Sequence, residues 1–289
     1  MNSYSKDSNS EIVVYEPNQR IKIGFFKSWA YMARNIWKSR ELIFQLFKRD
    51  FLSGYKQSLL GIFWIFISPF VGILSWVFLN MTGVLNPGEM EVPYTVYVLI
   101  GSTFWGLFMA LFNASSASLR NGSSLILQID FPHEALVVKE IANTIAGFLI
   151  STVMIAVLLL IYRVTPSWTV MLFPLTLIPI ILIGVGIGMV VAVITVVAHD
   201  INKIVSMGLG FLMFLTPVIY TPKIQNELIQ IIIRWNPLSY IITAARDVIL
   251  FGRIENPIGY LLSSVFALLL FLFSWRLFFL SEYKVAEKL

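Results

Sequence analysis

The chain has 289 residues, of which 57% are hydrophobic and only 13% charged, and its formal net charge is +5. Soluble domains carry roughly a quarter charged residues, so this composition excludes a soluble globular fold and predicts an all-α integral membrane protein. With no cysteine and two histidines, the chain offers no thiolate or histidine-based metal site, and we expect no metal or cofactor in it.

Two cytoplasmic elements are predicted ahead of the membrane. Residues 1–38 form an N-terminal segment whose polar start, Met1–Ser10, excludes a secretory signal. In residues 39–56, apolar side chains recur at helical spacing opposite charged ones, which predicts an amphipathic helix lying in the inner membrane interface. That helix is either a membrane anchor alone or an elbow that also grips a cytoplasmic partner.

Six charge-free runs within residues 57–281 reach the length of about 20 residues that a spanning helix needs. Their bounds are Gln57–Gly88, Val92–Leu119, Ile141–Tyr162, Val164–Ala198, Ile204–Pro222 and Asn256–Trp275. In the fourth run, Pro174 and Pro179 predict a kinked or tilted helix because each removes a backbone donor. Gly184 and Gly188 in the same run predict close approach of a neighbouring helix.

Two shorter apolar runs separate the fifth and sixth predicted spans. Leu228–Ile233 and Trp235–Ala245 are interrupted by Arg234 and Pro237 and are too short to cross a bilayer. They predict a re-entrant or surface hairpin over residues 223–252, on the external side.

Lysine and arginine in the loops set the orientation. Sixteen of the 21 lie on the side that carries both termini, and this side is predicted to be cytoplasmic. Residues 282–289 are then a cytoplasmic tail. The cytoplasmic loop 120–139 exceeds the roughly 2 to 8 residues usual between bundle helices, so it is either a solvated loop or a docking site for another protein. The short loop after the fourth span carries His199 with no cysteine or second histidine nearby, so no metal site is expected there.

The predicted spans contain essentially no charged residue, which argues against an ion-coupled carrier. The chain also has no Gly-Lys pair and hence no phosphate-binding loop, so ATP and Mg²⁺ would be bound by a separate ATPase chain. The basic residues do not form a stripe on a soluble face, so a nucleic-acid partner is not expected. Most aromatics of the first two spans are expected to face lipid or pack between helices. A minority of them would line a path for sugar rings.

Several stretches, taken in order, resemble the permease subunit of bacterial ABC exporters of polysaccharides, the family that exports O-antigens, capsular polysaccharides and teichoic acids. They are Phe47-Lys48-Arg49-Asp50-Phe51, Tyr55 to Trp64 with Pro69, Asn121-Gly122, Phe131-Pro132, His199-Asp200-Ile201, Thr216 to Tyr220, and Trp235 to Leu238 with Arg246. This resemblance covers nearly the whole chain after residue 40.

The resemblance implies a homodimeric channel in the bacterial inner membrane, with two ATPase subunits below it and short gate helices between the fifth and sixth spans. The residues it implies in ATPase coupling are Arg49, Asp50, Asp130, Phe131, Pro132, His133, Glu134, His199 and Asp200. The family has an arginine where this chain has His199, which puts a charge-specific role there in doubt. Candidates for the channel or gate are Tyr55, Phe63, Phe70, Trp76, Tyr97, Trp105, Phe108, Tyr220, Trp235, Asn236 and Pro237.

The predicted function is therefore a non-enzymatic permease subunit that exports a lipid-linked polysaccharide, with O-antigen ahead of capsule or teichoic acid. An exporter of drugs or small lipids is the alternative within the same class. The alternative of another class is a membrane-embedded glycosyl- or acyltransferase, for which acidic or histidine residues at the membrane surface would do the acid–base work. Its candidate residues would be Glu89 and Glu91 outside, or Asp130, His133 and Glu134 inside.

Overall fold

The computed structural model describes residues 24–56, 63–85, 90–129, 131–222 and 226–286, and the regular structure within these ranges is helical. The helices are α1 Phe25–Lys38, α2 Arg40–Lys56, α3 Phe63–Met81, α4 Tyr94–Asn121, α5 Ser123–Ile126, α6 Glu134–Ile161, α7 Phe173–Thr195, α8 Asp200–Leu212, α9 Glu227–Trp235, α10 Pro237–Leu250 and α11 Pro257–Ala286. Single 3₁₀ turns, Trp168–Leu172 and Met213–Leu215, precede α7 and follow α8.

Four segments of the described chain are long and apolar enough to cross a membrane. They are Tyr94–Asn121, Glu134–Ile161, Trp168–Thr195 and Pro257–Glu282. This confirms an all-α, multi-pass membrane protein. The predicted first and fifth spans correspond to α3, with a shorter apolar stretch at Val71–Met81, and to the 13-residue α8, so a total of six stays a prediction.

The core is built around α4, which packs against α3, α6, α7 and α10. The side chains of Phe104, Phe108 and Phe112 on α4 are fully buried. The close approach predicted from glycine is confirmed on α7. A Cβ added at Gly188 would lie 2.8 Å from the Phe112 carbonyl oxygen, and one added at Gly184 would lie 3.1 Å from that of Phe108. Glycine is therefore needed here because α4 and α7 touch backbone to backbone.

The fourth predicted span is not one kinked helix. A 3₁₀ turn comes first, and α7 then begins at Phe173, which places Pro174 in its first turn. A proline at that point costs no hydrogen bond, because the first N–H groups of a helix have no partner within it. The kink predicted at Pro174 is therefore wrong. Pro179 does lie inside α7, where it is buried.

Helix α1 was not predicted, although its apolar residues follow helical spacing. Met32 is fully buried, and Trp29 donates from Nε1 to the carbonyl oxygen of Leu272 over 3.4 Å. Arg276 of α11 donates to the hydroxyl of Ser28 over 3.0 Å. Helix α1 ends at Lys38 and α2 begins at Arg40, after Ser39. Part of the predicted N-terminal segment is thus a helix, α1, that packs against α11.

The bundle has two distinct ends. Helices α4, α7 and α11 begin beside α10, and α6 begins beside α2 where α4 has ended. We refer to these as the α10 end and the α2 end. Helix α4 runs on to Asn121 and α6 starts at Glu134, so helices take up much of the predicted loop 120–139.

Candidate functional site

An ion-pair network joins α2 to α6 at the α2 end. Lys139 is only 7% exposed, and its Nζ donates to Asp50 over 2.8 Å and to Glu140 over 2.7 Å. Arg49 donates from Nε to the other oxygen of Asp50 over 2.8 Å. Partial burial alone would raise the pKa of Asp50, but hydrogen bonds and charges of Lys139 and Arg49 outweigh it and hold that pKa below its ordinary value.

Arg49 and Asp50, predicted to contact an ATPase, are therefore tied to the chain's own α6. The sequence reasoning missed Lys139 and Glu140, whose signal was a pair of opposite charges at the start of an otherwise apolar helical run. Together the four residues form what we call the α2–α6 ion network. It fixes the angle between the amphipathic helix and the bundle.

Three of the residues predicted in the coupling loop are buried within the chain. Phe131 packs with Ile43 and Leu46 of α2. The backbone N–H of His133 donates to Glu282 of α11 over 3.2 Å, and Glu134 is 1% exposed. Pro132 is half-buried, and Asp130 lies outside the described residues.

Exposed apolar side chains of the same loop lie just before these residues. Leu127 is 65% exposed and Ile129 is 45% exposed. His199 and Asp200, at the start of α8, are exposed as well. Leu127 and Ile129 therefore lie at the surface, a few residues before the buried Phe131. No sequence pattern singled these two out, because exposed and buried apolar residues look alike without the fold.

At the α10 end, a buried arginine organises two of the predicted channel residues. Arg246 is 1% exposed, and its guanidinium carbon lies 3.7 Å from the centre of the Tyr97 ring. It also donates to the carbonyl oxygen of Pro217 over 3.1 Å. The Tyr97 hydroxyl in turn donates to the carbonyl oxygen of Tyr220 over 3.0 Å. The segment after α8 is thus fastened to α4 and α10 together.

The region of the predicted hairpin contains two helices, α9 and α10, joined at Asn236. This residue is 7% exposed, and its side chain accepts the N–H of Leu238 and donates to the hydroxyl of Thr216 over 2.8 Å. Pro237 is the first residue of α10, where its missing N–H is harmless. Trp235, the last residue of α9, is 82% exposed.

The remaining channel candidates fall into three groups. Trp105 and Phe108 are buried, with ring centres 5.2 Å apart, so within the single chain they pack in the core. Trp76 is half-buried and meets the ring of Phe214 edge-on at 5.9 Å. For Tyr55, Phe63 and Phe70, the side chains lie outside the described part of the structure. A channel role for all six stays a prediction.

Two cavities accompany these features. One of about 330 Å³ lies at the α10 end, beside Arg246 and Asp247. The other, of about 610 Å³, lies within the membrane-spanning region between α3, α4 and α6. Three glycines on its wall, Gly72, Gly106 and Gly147, have open space where a Cβ would be. Gly184 and Gly188 allow two helices to touch, whereas these three glycines border open space.

Comparison with known proteins gives the following matches. The family model described as ABC-2 type transporter matches residues 41–250. The O-antigen export system permease protein RfbA of Myxococcus xanthus is 25% identical over 78% of this chain and 86% of its own length. A protein of the same name from Klebsiella pneumoniae is 24% identical over 78% of this chain and 86% of its own length. The matched range includes the α2–α6 ion network, the loop with Phe131, and Arg246.

Proposed function

The chain belongs to the ABC-2 type transporter family, and from this premise we propose that it is the permease subunit of an ATP-driven exporter of a lipid-linked O-antigen polysaccharide. The observation that carries the proposal is the similarity to two O-antigen export permeases over 86% of their own lengths. That coverage takes in both ends of the bundle, so the relatives resemble the chain as a whole and not one motif.

Six spans belong to the proposal, with α3 and α8 as the first and the fifth. A 19-residue helix such as α3 is about 28 Å long, close to the roughly 30 Å of a hydrocarbon core. Helix α8 with its following 3₁₀ turn reaches about 26 Å. Both termini and the α2 end then lie in the cytoplasm of the cell, and the α10 end faces outward across the inner membrane.

A second copy of the chain completes the channel in this proposal. The described residues of α8 include no buried side chain, and Ile204, Met207, Phe211 and Phe214 are all largely exposed. Lipid alone would tolerate that surface, but a central helix of a six-span bundle is expected to have a protein neighbour. A homodimer places the copies with their α3 and α8 surfaces toward the path of the polymer.

Two ATPase chains, which bind ATP and Mg²⁺, dock at the α2 end in this account. The exposed Leu127 and Ile129 supply the apolar contact, and Asp200 and His199 lie at the same end. Movement of that loop reaches α2 through Phe131 and reaches α6 through the α2–α6 ion network. The α9–α10 hairpin acts as the outward gate.

Deletion of the gene tests this function. We expect the surface polysaccharide to disappear and lipid-linked polymer to accumulate inside the cell, both restored by the intact gene. Gel analysis of surface and cytoplasmic glycans measures the two pools. An unchanged surface polysaccharide with no internal accumulation would contradict the proposal.

A further inference from the structure

The cavity at the α10 end is walled by both charged and apolar side chains. Its charged lining residues are Glu91, Arg246, Asp247, Arg253 and Glu255, drawn from the segment before α4, from α10 and from the loop that follows α10. Its apolar lining includes the side chains of Met90, Phe251 and Ile254. A volume of about 330 Å³ is at the small end of the range of ligand sites in proteins.

The two charged groups at the base of this cavity are buried. Arg246 is 1% exposed and Asp247 is 6% exposed. Nε of Arg246 is buried and has no hydrogen-bond partner, although Nη1 of the same guanidinium is bonded to Pro217. An unused buried donor costs about 1 to 3 kcal/mol, so the base of the cavity keeps a guanidinium whose hydrogen-bonding capacity the chain does not fully use.

The charged groups that line the cavity limit the kinds of ligand that it could bind. Three carboxylates face two guanidinium groups, so a phosphate or a uronate would be repelled. Carboxylates accept hydrogen bonds from hydroxyl groups, and guanidinium groups donate to hydroxyl oxygens. Phe251 and Met90 offer apolar surface to C–H groups. A neutral sugar presents hydroxyls around its edge and C–H groups on its face, and one or two such rings match the cavity in size.

We propose that the cavity at the α10 end is a saccharide-binding site that holds one or two neutral sugar residues of the exported polymer as it leaves the channel. The inference rests on the proposed function for the identity of the polymer. It adds a place, outside the membrane-spanning helices, where the chain itself contacts the cargo. Glu91 and Asp247 accept hydrogen bonds from the ring hydroxyls, and Phe251 packs against the ring face.

Binding to the purified chain in lipid nanodiscs tests the site. The probe is the repeat-unit oligosaccharide released by mild acid from the surface polysaccharide of the same cells, followed by saturation-transfer nuclear magnetic resonance and by titration calorimetry. Glu91→Gln and Phe251→Ala alter accessible lining groups, and we expect each to weaken binding by roughly tenfold. Glu227→Gln on α9 is the matched control outside the cavity and should bind as the unaltered chain does.

Three results would overturn the saccharide site. They are no transfer from the unaltered chain, equal binding by the lining variants and the control, and displacement of the oligosaccharide by inorganic phosphate. The deletion experiment keeps the two claims apart. If deletion abolishes export and the purified chain shows no binding, the permease function stands and the saccharide site is wrong. If deletion leaves export intact, the permease function itself is wrong.

Discussion

Lys139 at the α2 end and Arg246 at the α10 end are both buried cations, but their partners differ. Lys139 is bonded to two carboxylates on two helices, one of which, Asp50, is 28% exposed. Arg246 is held by a neutral carbonyl oxygen and the face of an aromatic ring. Ion pairs near water weaken with salt and with pH, whereas a stacked, buried guanidinium responds to neither. The contacts of Lys139 at the α2 end are therefore expected to weaken with salt and pH, whereas those of Arg246 at the α10 end are not.

The largest predicted loss of stability is at the α10 end. Arg246→Ala should destabilise the chain by about 3 kcal/mol or more, because it leaves a cavity against Tyr97 and an unpaired carbonyl at Pro217. Arg234→Ala, on the exposed side of α9, is the matched control and should change stability by about 0.5 kcal/mol or less. Denaturant unfolding in mixed micelles measures both. Equal effects would show that Arg246 is not a structural centre.

Lys139→Met should cost somewhat less, about 2 kcal/mol, because it leaves the carboxylates of Asp50 and Glu140 facing each other. The difference between variant and parent should shrink when NaCl is raised from about 0.05 M to about 0.5 M. Lys203→Met, exposed on α8, should show neither effect. A salt-independent loss would mean that Lys139 acts through packing, as Arg246 does.

A pair of asparagines compares the two gate helices directly. Asn236 caps α10 and is buried against Thr216, whereas Asn226 caps α9 at the surface. Asn236→Ala should cost about 1.5 kcal/mol and Asn226→Ala about 0.5 kcal/mol, as judged by thermal unfolding in nanodiscs. If Asn226→Ala were the more destabilising of the two, α9 and not α10 would be the more firmly held helix.

A further prediction is a pH dependence at the α10 end. Burial raises the pKa of Asp247 to about 6, although the charge of Arg246, the hydrogen bond from the backbone N–H of Glu255 and the charge of Arg253 oppose the rise. The negative charge of the Glu255 side chain adds to the rise. The folded state then binds this proton more tightly than the unfolded state, so the contribution of Asp247 to stability falls as pH rises from about 4 to about 6.

Asp247→Asn removes this titration. The melting temperature of the variant relative to the parent should therefore rise over the same pH range and level off above it. Asp200→Asn, exposed at the other end, is the control for loss of a surface carboxylate. A flat difference for Asp247→Asn would mean that its carboxyl is not desolvated.

Local patterns were enough to predict α2 and the split between α9 and α10. Amphipathic spacing and the break at Pro237 act within a few residues, so the sequence shows them directly. The same holds for the glycines of α7, where small side chains indicate close packing whichever helix is the neighbour. Contacts between distant segments were not predictable. Neither the stacking of Arg246 on Tyr97 nor the pairing of Lys139 with Asp50 follows from spacing.

Reconstitution of transport tests the central claim most directly. The chain is placed in proteoliposomes with its ATPase partner, and lipid-linked polymer is supplied on the side of the ATPase. We expect the polymer to become protected from an added glycosidase only when ATP and Mg²⁺ are present and both chains are intact. Protection without the ATPase or without ATP, or chemical conversion of the polymer by this chain alone, would contradict a permease driven by a separate ATPase.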